Sequence, residues 1–343
     1  MQTLKPAEVK SIEQFFQLQD GSLKKVLFHF LKSKYETVFQ TKDYLLAVGD
    51  IPVALVAHLD TVFSIPPEHV FYDRVKNVMW SPDGLGADDR AGVYSIIQIV
   101  KKGLKPTIIF TMEEETGAIG ARNLVANFPK APVELKYIIE LDRRGSMDCV
   151  FYECDNPEFE GYIENFGFVT AFGSFSDISV ICPAWKVAGV NLSIGYEDEH
   201  TYGELLYIGH MLATIKKVIT ILESVDEKTP LFEYIEMDYE RYLNKMWPGG
   251  WSEYYGFHEN DKSFQCSACG TRDFDYNLFA VKQRNGRPLF LCTECISKDP
   301  NVGWCIHCGE PFVAAPDDKT KKYCHDCQEE GDIITNECKI HTN

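Results

Sequence analysis

The feature that most constrains the fold is a series of short apolar runs, each followed by a carboxylate or an imidazole. Residues 53–57 form a continuous apolar run, the pattern of a strand covered on both faces, and His58 follows at once. Residues 107–111 are strand-like and lead into Glu113, Glu114 and Glu115. Residues 137–141 end at Asp142, and residues 187–194 read as a further strand with His200 beyond it. Residues 91–100 and 120–128 carry helical patterns between these runs. Leu205, Ile208, Leu212, Ile215, Ile219 and Leu222 then recur at helix spacing and give one apolar stripe. Thr201 is expected to cap that helix, with Glu204 three residues on as its capping-box partner. Upstream, residues 23–31 read as an amphipathic helix, and residues 35–40 and 44–48 as a hairpin.

Strands alternating with helices predict an α/β fold, a mostly parallel sheet with helices on both faces. Such sheets bind ligands beyond the carboxyl ends of their strands. His58, the glutamate run, Asp142 and His200 all fall there, and Asp88 lies in a Gly-rich loop just before a helix. A single polar residue ending a strand is ordinary. Five such stops, all carboxylate or imidazole, converge on one rim.

Composition narrows the functional classes. The chain has 343 residues and a formal net charge of −17, which repels phosphate backbones and argues against nucleic acid as a partner. No run approaches the ~20 apolar residues of a membrane span. The first residues lack the basic-then-apolar layout of a signal peptide. A cytoplasmic location is therefore expected, where thiols stay reduced and paired cysteines bind metal. Of the 12 cysteines, Cys149, Cys154 and Cys182 are scattered and read as small buried hydrophobes, and Cys338 lies in the polar tail. The other eight form four C-x-x-C pairs after residue 265, which marks a domain boundary.

The polar stops have a chemical logic. In His58-x-Asp60 the carboxylate can hold the imidazole in its ligating tautomer. Adjacent glutamates can divide the work, one binding metal while the other moves protons. Oxygen and imidazole donors without thiolate suit a catalytic zinc with an open position. Three consecutive glutamates leave two pairings open, and in Ile139-Glu140-Leu141-Asp142 either acid could ligate.

These segments resemble those of the co-catalytic zinc aminopeptidase and carboxypeptidase superfamily, which includes peptidase T and bacterial aminopeptidases. Gly84-Leu85-Gly86-Ala87-Asp88-Asp89-Arg90-Ala91-Gly92 is similar to the peptidase T type. Glu114-Glu115-Thr116-Gly117-Ala118-Ile119-Gly120-Ala121 resembles the superfamily's Glu-Glu-x-Gly-x-x-Gly-Ala segment. The resemblance spans roughly residues 45–225, in the family's order. It implies that Asp88 bridges two zinc ions, that His58 and Asp142 complete one site, and that Glu115 and His200 complete the other. It further implies Glu114 as general base, Asp60 as the residue orienting His58, and a cis peptide between Asp88 and Asp89. The Gly117 and Gly120 spacing selects Glu114 and Glu115 from the run, and the same likeness favours Asp142 over Glu140.

The expected activity is hydrolysis of an amide bond in a peptide. The alternatives are a deacylase of a non-peptide metabolite, or a non-catalytic interaction protein. Many carboxypeptidases and deacylases of the superfamily insert a dimerisation domain between the Asp ligand and the last His. Only 58 positions separate Asp142 from His200, too few for it, which favours a compact aminopeptidase-like core. Glu140, Glu153 and Glu197 are candidates for holding a substrate amine. His29, His69, His210 and His258 have no apparent ligand partner.

The C-terminal cysteines resemble tandem zinc ribbons. Cys266, Cys269, Cys292 and Cys295 make one candidate Cys₄ site around a strand–Asn285-Gly286–strand pattern, and Cys305, Cys308, Cys324 and Cys327 make a second, sequential pairing being favoured over an interleaved cross-brace. Two catalytic and two structural zinc ions are thus expected. From Asp261 onward there are 10 Lys/Arg against 13 Asp/Glu, so these modules point to structure or protein contact rather than nucleic acid. The expected layout is a catalytic domain over 1–225, an aromatic-rich connecting arm over 226–260, one ribbon over 261–299, and a second ribbon with the tail over 300–343.

Overall fold

The computed structural model describes residues 4–237 and, beyond them, 264–269, 272–273, 278–281, 289–298, 301–304 and 311–314. The chain divides into two compact units, Met1–Met246 and Trp247–Asn343.

The first unit opens with two helices, α1 (Pro6–Phe16) and α2 (Asp20–Lys32). The hairpin follows as β1 (Thr37–Gln40) and β2 (Tyr44–Val48), then β3 (Ile51–His58) and two short strands, β4 (Phe71–Asp73) and β5 (Val78–Trp80). Next come α3 (Ala87–Lys101), β6 (Pro106–Thr111), α4 (Ile119–Asn127), β7 (Tyr137–Arg143) and β8 (Asp148–Val150). The unit continues with α5 (Pro157–Glu164), β9 (Val169–Thr170), α6 (Ile178–Trp185) and β10 (Gly189–Ser193), and then β11 (Tyr196–Glu197), β12 (Leu205–Tyr207) and α7 (Ile208–Ser224).

Eight strands form one sheet in the order β1-β2-β6-β3-β7-β10-β8-β9. Its centre, β6-β3-β7-β10, is parallel; β1, β2 and β8 join antiparallel. The period-2 rule divides the strand residues between two cores. Val53, Leu55 and Ala57 pack with Leu45, Phe110, Ile139 and residues of α1, α2, α3, α5 and α7. Ala54 and Val56 point the other way, to Ile109, Ile138 and residues of α4 and α6. Helices therefore cover both faces, as the continuous apolar runs require. Truncating Leu55, which is fully buried, would cost about 2–5 kcal/mol.

The structure corrects two expectations. Leu205 does not begin the last helix: Leu205–Tyr207 is a strand paired antiparallel with Val78–Trp80 in a second, four-stranded sheet, β11-β12-β5-β4. Thr201 and Glu204 therefore do not cap α7, whose N-cap is Tyr207. Residues 226–237 are also more than a connecting arm. Phe232 is buried against Tyr137, Phe159 and Tyr162, and its backbone bonds to Lys136 and Ala188. The first unit thus runs past residue 225.

In the second unit β13 (Phe264–Gln265) pairs with β14 (Arg272–Asp273), and β15 (Leu278–Val281) pairs antiparallel with β16 (Leu289–Cys292). The latter pair sits where the sequence places a hairpin; its turn lies outside the described residues. α8 (Thr293–Lys298) follows, then the antiparallel pair β17 (Val302–Trp304) and β18 (Pro311–Val313). The small core holds Cys266, Val281, Leu291 and Ile296. Cys305, Cys308, Cys324 and Cys327 lie outside the described residues, as do His258 and Cys338. Among the described residues, no helix is long and apolar enough to cross a membrane.

Candidate active site

The carboxyl ends of β3, β6 and β7 lie side by side, with His58 opposite Thr111 and Val56 opposite Glu140 in the register. The residues just beyond these strand ends therefore share one rim. His58 closes β3 and is 1% exposed. Asp142 lies near the end of β7, two residues past Glu140. Asp88 lies in the irregular first turn of α3, and the Asp88–Asp89 peptide is cis, as the resemblance implied.

Asp88 is the centre of the arrangement. Its Oδ1 lies 3.0 Å from His58 Nε2, and its Oδ2 lies 3.1 Å from His200 Nε2. Asp142 Oδ1 is 3.4 Å from His58 Nε2, and Glu115 Oε2 is 3.0 Å from His200 Nε2. Two triads result, His58–Asp88–Asp142 and Asp88–Glu115–His200, each with donor atoms within 4.8 Å of one another. Donors ~2.0–2.2 Å from a tetrahedral zinc are ~3.3–3.6 Å apart, close to these separations, which suit shared ligation of an ion. The donor set, carboxylate and imidazole without thiol, suits a catalytic metal with open positions.

The glutamate run resolves into separate roles of position. Glu113 is exposed, with a left-handed φ of 58°, whereas Glu114 and Glu115 turn inward. Gly120 sets this register. Its backbone N–H donates to Met112 O, and a Cβ there would lie 2.5 Å from that oxygen. Asp60 then holds both inward glutamates, because its Oδ1 and Oδ2 accept the N–H groups of Glu114 and Glu115, each at 3.2 Å. Asp60 Oδ1 also faces His58 Nδ1 at 3.5 Å. Burial pushes the Asp60 carboxyl up, but His58 and the Glu114 amide outweigh it and hold it below its usual value.

The surroundings contain partners that sequence reasoning missed. Asp89 is fully buried; it accepts the N–H of Gly92 at 2.9 Å and that of His58 at 3.2 Å, tying α3 to the end of β3. Glu204 accepts the N–H groups of Gly86 at 2.6 Å and Asp88 at 3.0 Å, so the acid assigned to α7 instead satisfies the start of α3. Tyr196 donates to Asp142 Oδ1 at 3.0 Å. Ser176 Oγ lies 2.6 Å from Glu140 and 3.2 Å from Asp142. Glu140 is thus sealed beside Ser176, outside the two triads. Asp177, also fully buried, accepts from the Thr111 hydroxyl. Only the Asp88-Asp89 doublet carried a local signal for any of these; the others depend on pairings across 30 or more residues.

The electrostatics are those of a carboxylate-rich site. Burial, reinforced by Asp142, Asp177 and Glu115 and opposed by His58, pushes the Glu114 carboxyl up to about 9. Burial and the neighbouring Asp88 raise Glu115 to about 7. Burial raises Asp142 to about 6 and Asp177 to about 7. Hydrogen bonding to Asp88, against the cost of burial, raises His200 to about 9. Four carboxyls held above their ordinary range, with two imidazoles among them, are what divalent cations would neutralise. Glu153, Glu197, His29, His69 and His210 belong to neither triad.

In the second unit, sulfur atoms of Cys266, Cys269 and Cys295 lie within 4.8 Å of one another. β16 ends at Cys292 and runs directly into α8, which carries Cys295.

No protein-family model matches the chain, and no curated protein matches it. Solved structures do. Aminopeptidase PepT from Bacillus cereus is similar at 15% identity and a TM-score of 0.52, over 63% of this chain and 97% of that one. A tripeptidase from Staphylococcus aureus gives 14% identity and a TM-score of 0.52, over 63% and 96%. A TET aminopeptidase from a Thaumarchaeota archaeon gives 13% and 0.50, over 66% and 99%. At these identities the likeness is one of fold: nearly the whole of each peptidase superposes on about two thirds of this chain.

Proposed function

We propose that the first unit is a two-metal hydrolase of amide bonds, acting on peptides as an aminopeptidase. The observation that carries this reading is Asp88, whose two carboxylate oxygens each face a different imidazole–carboxylate pair. That is the arrangement a bridging carboxylate needs. The fold shared with aminopeptidases supports the same reading.

His58, Asp88 and Asp142 would hold one ion, and Asp88, Glu115 and His200 the other. Bound zinc would supply Lewis acidity, polarising the scissile carbonyl and making a water acidic near neutral pH. The chain's own residues supply the remainder. With the ions bound, whose charge would return it to the ionised form, Glu114, the inward carboxylate outside both triads, would take the proton of the attacking water and return it to the leaving amine. Asp60 fixes the Glu114–Glu115 turn and faces the far nitrogen of His58, so one carboxylate positions both a ligand and the base. Tyr196 and Ser176 orient Asp142 through its two oxygens. His200 lies on the exposed side, where a peptide would enter.

In the second unit, Cys266, Cys269, Cys292 and Cys295 would hold a structural zinc, supported by the closeness of three of the sulfurs and by a core too small to fold unaided. Cys305, Cys308, Cys324 and Cys327 would hold another. A docking role toward a protein partner is compatible with their near-balanced charge.

The test is hydrolysis of a peptide panel alongside N-acyl amino acids, before and after chelation and with Glu114→Gln. Peptide cleavage that chelation abolishes, and that Glu114→Gln abolishes while metal is retained, supports the reading. Cleavage of acyl amides alone would move the activity to a deacylase. Undiminished turnover in Glu114→Gln would remove the base.

A further inference from the structure

A pocket of about 270 Å³ opens beside the site, against Thr61 and Gly86, each next or next but one to a site carboxylate. Phe16, Phe63, Pro66 and Leu85 give it apolar walls. Its charged lining is Arg90 and Asp20. Arg90 is 3% exposed, yet only its Nη2 has a partner, the Asp20 carboxylate; Nε and Nη1 are buried without an acceptor. A guanidinium stays charged when buried, and leaving its N–H groups unmatched is costly. Asp20 is about 39% exposed, so its carboxylate remains open to a ligand. Asp60 lies within electrostatic reach of Arg90, which joins the pocket to the rim of the two triads.

We propose that this pocket is a specificity subsite for a neutral carboxamide side chain, of the glutamine or asparagine type, next to the scissile bond. The inference rests on the peptidase reading of the neighbouring site. The Arg90–Asp20 pair carries no net charge, so it gives neither an acidic nor a basic side chain an overall attraction. Arg90 lines the cavity and carries N–H groups with no protein acceptor, beside the accessible Asp20 carboxylate. A carboxamide complements both: once the buried guanidinium edge turns toward the cavity, its carbonyl accepts from Arg90 and its NH₂ donates to Asp20, while its methylenes rest on Phe16, Phe63 and Pro66. The pocket is just below the usual range of ligand-site volumes, which fits a single side chain rather than a large ligand.

The test measures kcat/KM on matched peptides carrying Gln, Glu, Lys or norleucine on either side of the scissile bond. Calorimetric binding of the same peptides to Glu114→Gln gives a readout independent of turnover. Gln should exceed norleucine by about 10- to 100-fold, the worth of hydrogen bonds to a charged group. Arg90→Met should erase that preference. Because Arg90 is buried and its variant can fail to fold, Asp20→Asn is the second arm. It leaves the Arg90 charge unbalanced and should move the preference from Gln toward Glu. Equal rates for Gln and norleucine, a wild-type preference for Glu, or an unchanged Gln-over-Glu ratio in Asp20→Asn would each overturn the assignment. If no peptide is cleaved but Glu114→Gln still binds Gln peptides selectively, the peptidase reading fails and the pocket assignment stands. If peptides are cleaved without discrimination, the pocket assignment fails and the peptidase reading stands.

Discussion

Asp60→Asn is the substitution on which the positioning argument turns. The wild-type carboxylate accepts two backbone N–H groups, those of Glu114 and Glu115, each at 3.2 Å. It also faces His58 Nδ1 at 3.5 Å. Asparagine keeps the shape but only one acceptor oxygen, so one N–H must meet an NH₂ group instead. A hydrogen bond to a charged group contributes about 1.5–3 kcal/mol, and losing one should lower Tm by roughly 3–12 °C in a domain of this size. His58 simultaneously loses the carboxylate beside its far nitrogen, and changes of that kind weaken metal binding by about 10–100-fold. The assay is chelator-competition titration of wild type and variant, with thermal unfolding of the chelated proteins and kcat on a cleaved peptide. Metal affinity, Tm and kcat should all fall, and Asp60→Ala should exceed Asp60→Asn in each. A variant with wild-type metal affinity and kcat would refute the claim that Asp60 positions both the ligand and the base.

Three further outcomes follow from the geometry. Chelated protein should lose stability as pH rises: Asp142, Asp177, Glu115 and Glu114 sit at about 6, 7, 7 and 9 in the fold, above their unfolded range near 4. The folded state thus holds more protons, and the stability linked to them, complete below about pH 4, is lost as pH climbs through those values. Melting curves from pH 5 to 9 should show a falling Tm for chelated protein and a widening gap to metal-loaded protein; a flat or rising Tm without metal would contradict this. Gly92→Ala should abolish soluble folded protein or metal binding, because a Cβ there would lie 1.9 Å from Leu141 O and 2.4 Å from Asp89 Oδ1; near-wild-type melting and metal content would show that the contact relaxes. Asp88→Asn should retain the fold by circular dichroism but weaken both metal sites together, since each relies on one of its oxygens, whereas loss of one ion alone would show that Asp88 does not bridge.

How much was legible in the sequence varies with the range of the interaction. His58, Asp142 and the inward glutamates stood out because each comes after a buried, locally apolar run of strand residues. The choice of Glu114 and Glu115 came from the Gly117 and Gly120 spacing of the resemblance, and the close approach of Gly120 to Met112 gives that spacing a physical reason. The Glu140–Asp142 ambiguity could not close locally: both follow apolar residues two apart on one strand, and it is His58, far upstream and 3.4 Å from Asp142, that separates them. Leu205 looked helical because its spacing continues the α7 stripe, yet its partner is Trp80, far upstream, and the distant pairing overrides the local period. The same remoteness hid Glu204, which looked like a cap for the helix after it and serves the helix at Ala87. α6 escaped notice because Pro183 lies inside it. The three-residue strands β4 and β5 are too short to show a period.

The central claim is that Asp88 joins two metal ions in the first unit. The most direct measurement is the metal content of purified full-length protein beside Asp88→Ala, by elemental analysis after removal of loosely bound ions. The account predicts that the variant falls short of wild type by two ions per chain, with the ions at the C-terminal cysteines unaffected. Equal metal content in the two proteins would contradict it.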